Sequence, residues 1–169
     1  VINFCLDNNI GISIGIIGSG FNGKDTALYT VLKRCISVGS DKCDLFIQGS
    51  ASTYISSSSV SSYSTVDDVK AQIQSTEEKL KTLFPGFTPQ LYVPSENSWS
   101  DSSVATVKEF GFSAVSASES TMKYDITTTP IQLPQQTSTG VINSTTGNWT
   151  ARPTETIVSD CTAASARGE

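Results

Sequence analysis

Short apolar runs alternate with longer amphipathic stretches over the first two thirds of the chain. Residues 12–17 gather Ile12, Ile14, Ile16 and Ile17 around Ser13 and Gly15, which predicts a buried strand. Residues 25–36 then place Leu28, Val31, Leu32, Cys35 and Ile36 at helical spacing. A second strand is predicted over 44–47. A long helix follows, opened by the capping signature Thr65-Val66-Asp67-Asp68 and stopped by Pro85-Gly86. Its apolar face holds Val66, Val69, Ile73, Leu80 and Leu83. Further strands are predicted over 90–93 and 112–117, with a helix over 102–110 between them that Gly111 ends as a C-terminal cap. Strand and helix in strict alternation argue for parallel strands joined by helical crossovers, as an open α/β sheet or a barrel.

Past Ser118 the pattern weakens. Residues 120–156 are rich in Thr, Gln, Pro and Asn and read as a long connection, with one short strand at Ile131-Gln132-Leu133-Pro134. The last stretch, 157–169, is read as a C-terminal helix or tail. The whole is taken as one domain, with a βα core over 1–119.

The chain of 169 residues has no histidine, which removes Ser-His-Asp and Cys-His catalytic sites and any His-ligated metal within it. The 27 Ser and 20 Thr outnumber the 27 Lys, Arg, Asp and Glu together. A surface wetted by hydroxyls rather than charges suits an extracellular, secreted protein. The net charge is −5 with no Lys/Arg cluster, which argues against nucleic acid as a partner. No apolar run approaches the roughly 18 residues of a membrane span. Gly15-Ile16-Ile17-Gly18-Ser19-Gly20 lacks the spacing and the acidic residue of a dinucleotide fingerprint, so no cofactor is expected.

Cys5, Cys35, Cys43 and Cys161 form no CxxC pair; two disulfides are expected, and the count allows three connectivities. Asn143 and Asn148 head two sequons in a Gly/Ser/Thr/Asn stretch and are candidate glycan acceptors. Tyr54, Tyr92 and Trp99 fall in or beside segments after predicted strands, the end where parallel α/β folds place ligands, and are candidate platforms for a sugar ring.

The segment order becomes specific in the helix ending Phe84-Pro85-Gly86-Phe87-Thr88-Pro89, the following Leu91-Tyr92-Val93-Pro94 and Asn97, and the stretch Phe110-Gly111-Phe112-Ser113-Ala114-Val115. Over residues 1–120 this resembles the polysaccharide deacetylase family, carbohydrate esterase family four, in particular its chitin deacetylase-like members. The resemblance implies a parallel-stranded, distorted or incomplete (β/α) barrel. It also places Gln48 and Ser52 where the family carries two metal-binding histidines. A neutral amide and a hydroxyl are weak ligands, so the metal centre is expected to be lost. Pro94 and Asn97 match the stretch that lines the family's sugar groove, whereas Ser95 and Glu96 depart from it. Glu96 and Asn97 thereby join the candidate carbohydrate-binding residues.

In a closed or nearly closed barrel the first and last helices are neighbours. The resemblance therefore implies a Cys5–Cys161 bridge beside a short Cys35–Cys43 bridge. The function expected is a secreted, catalytically inactive deacetylase-like glycoprotein domain that binds polysaccharide. One alternative is a structural subunit of an extracellular wall, sheath or filament, self-associating as a homo-oligomer. A second alternative is a fragment of a metal-dependent polysaccharide deacetylase.

Overall fold

The structure, a computed structural model, describes residues 1–21, 23–49, 66–95, 99, 106–118, 122–135, 140–142, 145–146 and 148–167. Helix α1 (Ile2–Asp7) leads into strand β1 (Ile12–Ile16), helix α2 (Thr26–Val38), strand β2 (Cys43–Gln48) and helix α3 (Val66–Leu83). Strands β3 (Leu91–Val93), β4 (Ala114–Ser118) and β5 (Ile131–Gln135) follow. A separate antiparallel pair, β6 (Gly140–Ile142) and β7 (Trp149–Ala151), precedes helix α4 (Thr154–Ala166). The five-stranded sheet is parallel throughout and runs β1-β2-β3-β4-β5, in chain order.

Local chemistry accounts for the element boundaries. Asp25 caps α2, its carboxylate accepting from Leu28 N–H at 3.0 Å. Asp25→Ala should therefore cost about 1 kcal/mol in a chemical denaturation measurement. Asp67 and Asp68 in the first turn of α3 and Lys81 in its last complement the helix dipole. Only 106–108 of the helix expected over 102–110 are helical among the described residues, and Gly111 turns the chain with φ +70°. Pro134 lies in β5, an outer strand, where a missing N–H costs no ladder bond.

Register explains which strand residues are buried. Cys43, Leu45 and Ile47 of β2 stand beside Ile12, Ile14 and Ile16 of β1, and Ile47, Tyr92 and Val115 continue that row across β3 and β4. This face meets Leu32 and Cys35 of α2 and Val69, Ile73, Thr76 and Leu80 of α3. Each large apolar side chain buried there contributes about 1.5–3 kcal/mol. The opposite face is mixed, with Asp44, Phe46 and Gln48 of β2 half-buried.

In residues 120–156 the short strand expected at 131–134 is β5, which joins the sheet, whereas the β6–β7 hairpin was not expected. Three-residue strands among Thr, Asn and Gly carry too little alternation to be seen in a sequence. Helix α4 begins at Thr154, behind Pro153, whose fixed φ of −56° suits a helix start. Among the described residues no helix is long and apolar enough to cross a membrane.

Candidate functional site

The carboxyl ends of β2 and β3 meet in a tight corner. Gly49 N–H donates to Val93 O at 2.8 Å, continuing the ladder one residue past β2. A Cβ on Gly49 would lie 2.5 Å from Ser95 N, so only glycine lets the two chains approach this closely. The Gln48 side chain closes the corner, its Nε2 donating to Pro94 O at 3.2 Å. From α3, Gln72 Nε2 donates to Gln48 O at 3.3 Å. Two polar atoms remain buried there without a hydrogen-bond partner, Ser95 Oγ and Gln72 Oε1. One can donate and the other can only accept.

The corner also tests the metal expectation by its donor chemistry. An amide whose N–H₂ is spent on a backbone carbonyl is no substitute for an imidazole, and its oxygen is a weak neutral ligand. Ser52, the second position, lies outside the described residues. Among the described residues no three His, Cys, Asp or Glu side chains are placed to hold an ion. The residues present do not fit the family's metal centre.

The candidate sugar platforms fare differently from one another. Tyr92 is 2% exposed, on the helix-facing side of the sheet, with its ring 5.7 Å from Phe112. Burial pushes its hydroxyl up to about 12. Trp99 is also buried and belongs to the hydrophobic core. Both rings are buried and offer no stacking face, a correction to the sequence reading. Its physical reason is parity, since Tyr92 shares its face with the buried Ile47 and not with Gln48. Tyr54, Glu96, Asn97 and Asn143 lie outside the described residues. Asn148 is exposed, as a glycan acceptor requires.

All four cysteines are free thiols in the structure. Cys35 and Cys43 are buried within the core cluster, and Cys5 is half-buried. Cys161 is exposed on α4. The expected partnership of Cys5 with Cys161 rested on barrel closure, and among the described residues β1 and β5 are separate outer strands.

Asp44 lies on the mixed face beside Ser13, and burial raises its carboxyl above the ordinary 3.8. The folded chain thus favours the protonated form. That contribution is full below pH 3.8 and is lost as pH rises through the elevated folded value. Asp44→Asn should therefore stabilise the protein at pH 7, by under about 1 kcal/mol for a half-exposed group, and the gain should vanish in acid. Urea midpoints of both proteins at pH 7 and pH 3 measure this.

Gln72 and Ser95 were not singled out from sequence. Gln72 flanks the apolar stripe of α3 beside Ile73, and a polar residue at the margin of a buried face is the available signal. The fold and corner define an α/β protein with a sequentially ordered parallel sheet and a polar site at its carboxyl edge. Comparison with family models, curated proteins and solved structures finds no match to the chain.

Proposed function

We propose that the chain is an extracellular glycoprotein domain on an incomplete (β/α) barrel of the polysaccharide deacetylase type, without deacetylase chemistry of its own, that binds polysaccharide. The observation that carries this reading is the strand order. Parallel crossovers are right-handed, so strands laid down strictly as β1-β2-β3-β4-β5 send every crossover to one face. A doubly wound sheet needs an order that reverses, whereas a singly wound one curls toward a barrel. Gln48 at the tip of β2, where the resemblance expects an imidazole, supports the loss of metal chemistry. Gln48, Gln72 and Ser95 make the carboxyl corner of β2 and β3 polar, the kind of edge that suits sugar hydroxyls.

The test is co-sedimentation of the purified protein with insoluble chitin and other insoluble glycans. Retention that chelators leave unchanged supports the reading, and protein that stays in the supernatant with every glycan defeats it. A second reading, a structural subunit of an extracellular wall, sheath or filament, draws on the outer strand β1. Among the described residues β1 leaves one hydrogen-bonding edge without a strand partner, an invitation to another chain, whereas the outer edge of β5 is bridged at Gln132 by Asp125. Ordered filaments or sheets in micrographs of the purified protein would favour it.

A further inference from the structure

Strand β1 is the open margin of the sheet. Ile12 N–H donates to Lys42 O at 3.0 Å, so Ile12, Ile14 and Ile16 turn their backbone groups toward β2. Ser13 and Gly15, between them, turn theirs outward, and both residues are exposed. Among the described residues no strand pairs with that side of β1. The other outer strand is guarded. Across the free side of β5, Asp125 N–H donates to Gln132 O at 3.1 Å and Gln132 N–H donates to Asp125 O at 2.7 Å, and Pro134 interrupts the donors further along. Strand β1 has no such guard, because residues 8–23 hold no proline and no charged side chain, in a chain of net charge −5. Its flank is apolar as well. Helix α1 touches both β1 and α2 and leaves Phe4 exposed, and Leu28 of α2 is exposed beside it. Between the two helices lies a groove of about 370 Å³, lined in part by Ile2, Ala27, Leu28 and Val31.

We propose that two copies of the chain pair antiparallel through β1, about a two-fold axis at Ile14, into one continuous sheet. An open backbone edge fits another extended strand, whose donors and acceptors recur at the same interval. The strand is complementary to itself, since Ile12-Ser13-Ile14-Gly15-Ile16 reads alike in both directions. In this register Ser13 and Gly15 of one copy exchange both N–H···O bonds with Gly15 and Ser13 of the other. Ile14 then stands opposite Ile14, and Ile12 opposite Ile16, so the apolar set stays on the helix-covered face in both copies. Charge favours a second copy in particular. Identical strands usually bring like charges together, but the uncharged run 8–23 leaves none to repel, even between two chains of net charge −5. At the ends of the pairing the exposed Ile17 comes beside Gly11 of the second copy, where the space is open. Such a contact closes on itself, so the product is a dimer and not a filament. Pairing through β1 is independent of glycan binding at the corner of β2 and β3, and either can fail alone.

The test is sedimentation velocity of the full chain from micromolar to sub-millimolar concentration, in reducing buffer so that no disulfide contributes. A concentration-dependent equilibrium of monomer and dimer is expected. Ser13→Pro removes an outward N–H that β2 does not use, so the fold should be kept while dimerisation weakens about tenfold or more. Ser13→Lys keeps that N–H but sets two like charges diagonally across the axis, and should weaken dimerisation in the same direction. Circular dichroism and urea midpoints of both variants check that the monomer is intact. The register is read separately. Opposed Ile14 residues would have Cα atoms about 4.5 Å apart, within disulfide reach. Ile14→Cys combined with Cys161→Ser should therefore cross-link to a dimer with oxidised glutathione, through a disulfide that maps to position 14. Ile12→Cys in the same background should not. A monomer at every concentration overturns the proposal and leaves the edge to a strand of another protein. A dimer that Ser13→Pro and Ser13→Lys leave intact overturns it too, as does a dimer in which Ile14→Cys forms no cross-link.

Discussion

Truncating Ile73 to alanine should destabilise the folded chain by about 3 kcal/mol, the cost of a lost aliphatic side chain plus the cavity it leaves. Ile73 is fully buried in α3, within the row of Val69, Thr76 and Leu80 that faces the sheet. For a chain of this size the loss corresponds to a fall in Tm of about 10 °C. Val66→Ala on the same helix, where the side chain is exposed, should change stability by under about 0.5 kcal/mol. Urea titrations of the two variants decide whether α3 is the main cover of the sheet. Equal, small effects would mean that it is not.

The second large effect is expected at the corner. Gly49→Ala places a methyl group 2.5 Å from Ser95 N, and the obstacle is backbone rather than a side chain that can swing away. The strand ends must separate, at a cost of about 2 kcal/mol. Separation also lengthens the Gln48 to Pro94 bond and moves Ser95, so retention on an insoluble glycan should fall with stability. Gly11→Ala provides the contrast, because nothing lies within 4 Å of a Cβ built there. Retention that survives in Gly49→Ala would separate glycan binding from this corner.

The sheet was legible because its strands are apolar runs cut off by turn residues. Ile12 to Ile16, Leu45 to Ile47 and Leu91 to Val93 could be placed from sequence within a residue or two. Helix α3 was legible too, since Val69, Ile73 and Leu80 repeat at helical spacing and are buried. The hairpin β6–β7 was not, because three residues per strand give no period to detect. The facing of Tyr92 was equally hidden. In a strand read as Leu-Tyr-Val every position is apolar enough for either side, and only the pairing with Ile47 settles it. Gln48 could be singled out by resemblance, but its bond to Pro94 depends on two strands set side by side by the fold.

Acetate release tests the central claim most directly. The proposal is that Gln48, at the tip of β2, is an amide committed to the backbone at the position where a metal-dependent deacetylase would need an imidazole. Pure protein is incubated with an acetylated chitooligosaccharide and, in turn, zinc, cobalt and manganese, and free acetate is measured against a blank without protein. The account predicts no acetate above the blank with any of the three metals. Release that depends on added metal and is abolished by a chelator would contradict it.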